Sequence, residues 1–160
     1  MDSQLETLFD EAESRYLKSE ELQVLNQYVS SLPARIDAYR TLRDRELEIM
    51  QWVADQLQVA LPNERLENLE RSIKNALLVL RYCAMGVLLN DEKFVQDKLQ
   101  GWVTQAVQVF NTYAIDTALF RLLDQRLASV MSPQQVALLT PQLNQAKAIL
   151  LQSAEITTPA

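Results

Sequence analysis

Residues 64–89, ERLENLERSIKNALLVLRYCAMGVLL, form the most apolar stretch of the chain. Apolar side chains recur in it every three or four residues, which is the spacing of one face of an α-helix. This first row comprises Leu66, Leu69, Ile73, Leu77, Leu80, Ala84 and Val87. A second row, about 120° around the helix, comprises Leu78, Tyr82, Met85 and Leu89. Because a helix that is apolar on two sides must be covered on both, we predict that it is the central helix of an all-α fold.

The segments on either side carry the same helical spacing, and strand-like alternation is weak. Seven or eight helices with short connections are therefore expected, packed as a bundle or a globin-like fold. Besides the central helix, they are predicted near residues 5–16, 20–32, 34–58, 91–112, 116–130 and 133–150.

Prolines and polar residues set the expected ends of these helices. The stretch before Pro33 should end one helix, since the residue before a proline is disfavoured in the helical region. Pro141 predicts a kink or a restart of the last helix. Ser19 and Ser132 are expected N-caps, the latter forming a capping box with Gln135. Asn90 and the residue after it predict a helix end followed by a new cap.

Composition excludes much of ordinary enzyme chemistry. The 160 residues include no histidine, two glycines and one cysteine, Cys83. The sequence therefore predicts no His-based catalysis, no Cys-rich metal site and no glycine-rich phosphate loop, and we expect a protein that is not an enzyme. The length favours one domain, over residues 1–156, with a short tail at 157–160.

The net charge of −6, from 15 basic and 21 acidic residues, disfavours nucleic acid as a partner. The densest basic group, Arg35, Arg40, Arg43 and Arg45, is interleaved with carboxylates and is expected to be a solvated helix face. No run of about 18 apolar residues predicts a membrane span, and the N-terminus lacks the apolar region of a signal peptide. These features, with a single cysteine, predict a cytoplasmic protein.

Four segments together resemble the phycobiliproteins, the light-harvesting subunits of phycobilisomes. Residues 11–17 (EAESRYL) followed by SEEL at 19–22 resemble the family's A-D-x-x-x-R-Y-L-S-x-x-E-L segment. Residues 77–82 (LLVLRY) resemble its E-I-I-L-R-Y, residues 84–91 loosely match A-x-x-A-G-D, and LQGW at 99–102 resembles L-x-G-L. The resemblance implies a globin-like fold with an N-terminal helical hairpin, in a cyanobacterium or plastid.

The same resemblance places the family's bilin-binding motif, C-x-R-D, on residues 72–75. The family's cysteine, which bonds the bilin, is replaced by Ser72; its propionate-binding arginine by Lys74; and its pyrrole-binding aspartate by Asn75. Because a serine hydroxyl does not ionise as a thiol does, no covalent bilin is expected. Cys83 lies about 16 Å along the helix from Ser72, so it is expected to be a small buried apolar residue instead.

The resemblance also implies an interface. Phycobiliprotein subunits pair through their N-terminal helices, where an acidic residue meets an arginine of the partner's central helix, and the matching positions are Glu11 and Arg81. An intrachain or solvent-facing Arg81 is the alternative. Exposed apolar side chains would complete the predicted interface: Leu5, Leu8, Phe9 and Tyr16.

These observations favour an interaction protein without covalent chromophore, acting in the assembly, regulation or turnover of phycobilisomes or other photosynthetic components. Its expected partners are phycobiliproteins, other photosynthetic proteins or a second copy, in the cytoplasm or at the cytoplasmic face of the thylakoid. One alternative is a carrier of free bilin, with Lys74, Asn75, Tyr82, Trp102 and Phe110 lining the pocket. Another is a globin-like stress-sensor domain without haem.

Overall fold

The computed structural model describes the backbone of residues 3–106 and 112–155, and the side chains of residues 3–101 and 112–151. Within these ranges all regular secondary structure is α-helical. The six helices are α1 (Ser3–Ala12), α2 (Ser19–Ala60), α3 (Leu66–Leu89), α4 (Phe94–Ala106), α5 (Tyr113–Val130) and α6 (Pro133–Glu155). The expected helix near residues 91–112 begins at Phe94, and its predicted end lies outside the described residues. The tail at 157–160 also lies outside them.

The apolar stretch that opens the sequence forms α3, which is the central helix as predicted. It packs against α2, α4, α5 and α6. The two apolar rows describe its burial only in part, because Leu66 is 56% exposed and the second row is half-buried. A face between the rows is fully buried and carries small residues: Ser72, Ala76, Val79, Cys83 and Gly86. By length and composition α3 is apolar enough to cross a membrane, but here it serves as the core helix on which four others pack.

The predicted helix end at Pro33 is wrong, and so is a restart of the last helix at Pro141, whereas the alternative of a kink there stays a prediction. Pro33 lies inside α2, which runs unbroken from Ser19 to Ala60, and Pro141 lies inside α6. A proline inside a helix removes one donor to the carbonyl four residues earlier. Both prolines are exposed, as are Val29 and Ala137 four residues before them. Because these carbonyls lie on the solvent side, water can replace the missing donor and the helix continues.

The helix caps agree in part with the sequence. Asn90 ends α3 in the left-handed conformation with φ 51°, as the predicted helix end requires. Ser132 and Gln135 form the predicted capping box, with contacts of 3.0 and 3.2 Å in the two directions. Ser19 is not the N-cap of α2. That position belongs to Lys18, whose backbone N–H donates to Glu21 at 2.7 Å.

Arg35 departs most from its predicted place on a solvated face, because it is 1% exposed. Its guanidinium donates to the carbonyl of Leu88 at 2.6 Å, to that of Tyr28 at 3.1 Å and to Ser31 Oγ at 3.1 Å. It also stacks on the Tyr28 ring, 4.5 Å from its centre. Leu88 is in the last turn of α3, where free carbonyls carry partial negative charge. Arg35 therefore joins α2 to the carboxyl end of the central helix.

Candidate functional site

Ser72, which the resemblance predicts to stand where the family has its bilin-bonding cysteine, is 2% exposed. Its hydroxyl oxygen is buried without a hydrogen-bond partner, close enough to the carboxyl of Asp116 on α5 to influence its pKa. Thr112 Oγ1 donates to Asp116 Oδ2 at 2.7 Å. Burial raises the pKa of Asp116, and the Thr112 and Ser72 hydroxyls oppose that rise. Ser72 is thus enclosed between α3 and α5 with its hydroxyl unsatisfied, beside the Thr112–Asp116 hydrogen bond.

The other two residues of the altered motif do not converge on Ser72. Lys74 is exposed and Asn75 is half-buried. Because successive helical residues are rotated by about 100°, Lys74 lies on the side of α3 opposite Ser72. Ser72, Lys74 and Asn75 therefore lie on different sides of α3, a spacing that they share with the family's C-x-R-D motif.

Two further residues considered at the sequence level are accounted for by packing. Cys83 is fully buried, and that burial raises the pKa of its thiol to about 12, as expected of an unreactive apolar residue. Tyr82 packs edge-on against Phe94, with ring centres 6.4 Å apart. Phe110 and the side chain of Trp102 lie outside the described residues.

A groove of about 280 Å³ lies between α2 and α3, one turn or more away from the altered motif. Its floor is apolar and its edges are charged. From α2 it is lined by Tyr39, Leu42, Arg43 and Glu46, and from α3 by Leu80, Arg81, Ala84 and Met85. The groove thus lies between α3, which carries the predicted interface residue Arg81, and the middle of α2.

Arg81 and Glu46 form an ion pair across this groove. Arg81 Nε lies 2.6 Å from Glu46 Oε1, and Nη2 lies 3.0 Å from Oε2, so the contact is bidentate. The Glu46 carboxylate raises the pKa of Arg81. The side chain of Arg81 is still 59% exposed, whereas that of Glu46 is 26% exposed. Within the single chain Arg81 is thus paired with Glu46, as in the alternative in which Arg81 has an intrachain contact instead of Glu11 of a partner.

An apolar stripe runs along the first half of α2 toward the groove. Leu22, Val29 and Ile36, spaced seven residues apart, are 50%, 55% and 38% exposed. Leu25, Leu32 and Tyr39 lie three residues after each of them and are half-buried. This is the 3.5-residue period of a helix that packs along another helix. Since Tyr39 also lines the groove, the stripe and the groove form one continuous surface.

The N-terminal residues of the predicted interface differ in their exposure. Leu5 was expected to be exposed but is 2% exposed, so it is already buried within its own chain. Phe9 is 50% exposed and Tyr16 is 98% exposed, so both remain free for a partner. Leu8 is half-buried and lines a shallow depression together with Val24 of α2.

Glu11 forms an ion pair with Arg15 in the same chain. Arg15 is also held by Glu21, whose two carboxylate oxygens accept from it at 2.7 and 2.9 Å. This bidentate contact lowers the pKa of Glu21 to about 2. Arg15 therefore fixes the turn between α1 and α2 and keeps one carboxylate partner even when Glu11 moves away.

The described residues contain no cluster of three or more His, Cys, Asp or Glu side chains that could hold a metal ion. The two features that suggest a function are therefore the apolar surface on α2 and α3 and the buried position of Ser72.

Comparison with known proteins decides the family. The family model described as phycobilisome protein matches residues 9–150, which is most of the chain. The chain belongs to the phycobilisome protein family. No curated protein matches it.

Membership of the phycobilisome protein family confirms the resemblance seen in the N-terminal and central segments, and the six-helix structure agrees with the globin-like fold of that family. The family is one of light-harvesting proteins rather than enzymes. Its members assemble with one another and associate with the thylakoid surface. A role related to the phycobilisome follows for this chain.

Proposed function

We propose that this phycobilisome protein is a non-enzymatic interaction protein that carries no covalent bilin. It pairs with another subunit of the same fold through the surface formed by the α2 stripe and the α2–α3 groove. Its role lies in the assembly, regulation or turnover of phycobilisomes, in the cytoplasm or at the cytoplasmic face of the thylakoid. The partner is either a phycobiliprotein or a second copy of the chain.

The observation that carries this proposal is the continuous apolar surface on α2. Leu22, Val29 and Ile36 expose large apolar side chains in one line, whereas scattered single exposures need no partner. Covering them with a second helix would remove apolar area from water, at about 25 cal/mol for each Å². The line leads into a groove with an apolar floor, which can receive a side chain or helix of the partner.

The absence of a covalent bilin is supported by the surroundings of Ser72. A hydroxyl needs a general base to become a nucleophile. Asp116 is close enough for the Ser72 hydroxyl to affect its pKa, but Ser72 is only 2% exposed, so a large tetrapyrrole has no access to the oxygen. The exposed position of Lys74 and the amide at Asn75 leave the family's other two bilin contacts unmade as well.

Sedimentation velocity of the purified chain tests the pairing through its self-association. Val29→Glu places a charge in the middle of the stripe at a position that is 55% exposed in the single chain, so the fold should be retained. The expected result is a dissociation constant at least about tenfold weaker, because the charge would be buried on pairing.

Val59→Glu is the matched control. It introduces the same change on the same helix, at a position that is 75% exposed but lies off the stripe. The proposal predicts that Val59→Glu leaves the dissociation constant near that of the wild type. Equal effects of the two variants on the dissociation constant would contradict the proposed surface. A wild-type chain that stays monomeric at every concentration would contradict pairing with a second copy.

A further inference from the structure

We infer that Glu46 is an intrachain competitor that sets the affinity of the groove for an acidic partner segment, here the α1–α2 turn of a second copy. This inference rests on the proposed pairing surface. It adds a residue that neither the sequence resemblance nor the family match assigns. Two ion pairs must rearrange when the second copy binds, namely Arg81–Glu46 at the groove and Arg15–Glu11 in the incoming segment.

Arg81 is the exposed cation of α3 that lines the groove, and it forms the bidentate pair with Glu46. A bidentate guanidinium–carboxylate pair is the strongest geometry available to these groups. Because Glu46 comes from α2 and Arg81 from α3, the pair bridges the two helices that form the groove. A partner carboxylate that reaches Arg81 must therefore displace Glu46 or share the guanidinium with it.

The segment that would supply this carboxylate is acidic. Residues 3–18, covering α1 and its turn, carry more acidic than basic side chains, namely Glu6, Asp10, Glu11 and Glu13 against Arg15 and Lys18. Phe9 and Tyr16 expose apolar rings in the same segment. Its charge and its apolar side chains complement a groove with an apolar floor and arginines at its edges. This complementarity selects the α1–α2 turn of a second copy as the occupant.

The two intrachain ion pairs oppose this contact to different extents. When Glu11 leaves Arg15, the guanidinium keeps its bidentate contact with Glu21. When Arg81 leaves Glu46, the carboxylate of Glu46 stays at the groove, 26% exposed, beside an incoming negative charge. Glu46 therefore both withholds Arg81 and repels the acidic segment, whereas Arg15 opposes binding little. Removing the charge of Glu46 should strengthen the pairing.

Glu46→Gln tests this, because glutamine retains the shape of the side chain and one acceptor oxygen. The expected dissociation constant of the second copy, measured by sedimentation, is about threefold to tenfold tighter than that of the wild type, since two exposed ion pairs are involved in a symmetric dimer. Asp55→Asn is the matched control: the same charge is removed from the same helix, at a carboxylate whose contact is Gln51 at 2.9 Å. It should change the constant by less than about twofold. The gain from Glu46→Gln should shrink as salt is raised.

The double variant Glu46→Gln with Glu11→Gln should lose the gain, since Glu11 supplies the incoming charge. If Glu46→Gln pairs no more tightly than the wild type while Val29→Glu still weakens pairing, the inference about Glu46 is overturned and the proposed surface stands. A gain that persists without Glu11 also overturns it. If neither the wild type nor Glu46→Gln self-associates, both the inference and pairing with a second copy are contradicted. Circular dichroism of each variant verifies that it is folded.

Discussion

A Cβ atom built on Gly86 would lie 2.7 Å from Cδ of Gln142, so any larger residue at this crossing of α3 and α6 requires the Gln142 amide to shift. Gln142 is 5% exposed, and its Nε2 donates to the carbonyl of Asp91 at 3.2 Å. The side chain is therefore enclosed and cannot move away freely.

Gly86→Ala should lower the free energy of unfolding by about 1–3 kcal/mol, because the added methyl group overpacks the contact. Gly101→Ala is the control: a Cβ at Gly101 meets nothing within 4 Å, so alanine there should be neutral or stabilising by up to about 1 kcal/mol. Urea unfolding measures both. Losses of the same size in the two variants would contradict the close contact at Gly86.

Arg35→Met should cost about 2–4 kcal/mol of stability, because the carbonyls of Tyr28 and Leu88 lose their donor inside the protein. Arg40→Met makes the same change five residues further along α2, at an exposed position, and should cost less than about 0.5 kcal/mol. The two free energies of unfolding, from urea titrations, are compared. An equal loss of unfolding free energy in Arg40→Met and Arg35→Met would contradict a stabilising role for the buried hydrogen bonds of Arg35.

Ser72→Cys should give a thiol that a water-soluble reagent does not reach in the folded protein, because the position is 2% exposed. Lys74→Cys, two residues away on the exposed side of α3, should react at once. Thiol titration before and after denaturation provides the measurement, with Cys83 appearing only after denaturation in both variants. Rapid labelling of the Ser72→Cys variant would show an open pocket at the former bilin position.

Asp116→Asn should change how stability depends on pH. Burial raises the pKa of Asp116 in the folded state, so between the unfolded value and the folded value the native chain binds more protons than the unfolded chain. The contribution of Asp116 to stability therefore falls as pH rises through that window. The free energy of unfolding of Asp116→Asn, relative to that of the wild type, should therefore increase from acidic to neutral pH and then level off.

Unfolding titrations over this pH range measure the effect, with the exposed Asp55→Asn as control. A constant difference between Asp116→Asn and the wild type would show that the folded and unfolded states bind protons equally at this residue.

The sequence predicts the helical class and the central helix because both depend on a repeated spacing, which residues 64–89 display over seven turns. It also predicts Asn90 and Ser132 as helix boundaries, since their role depends on local backbone groups alone. It wrongly ends a helix at Pro33 and leaves a kink or a restart open at Pro141, because the outcome depends on whether the freed carbonyl meets water or protein. That information is tertiary and has no local signature.

The candidate site is less predictable for the same reason. Arg81 was recognised, but Glu46 is 35 residues away, and its approach depends on how α2 crosses α3. Arg35 resembles its exposed neighbours in the sequence, and only the position of the carboxyl end of α3 explains its burial. The stripe of Leu22, Val29 and Ile36 spans two helices that the sequence predicts to be separate, so it is continuous only because α2 runs through Pro33.

Hydrogen–deuterium exchange of the wild-type chain, at one concentration below its dissociation constant and one well above it, tests the proposed pairing surface most directly. The account predicts slower exchange at high concentration in peptides covering residues 22–39 and 80–86, and unchanged exchange in peptides covering residues 51–60. Slower exchange confined to residues 51–60, or no concentration dependence along the α2 stripe in a chain that associates, would contradict it.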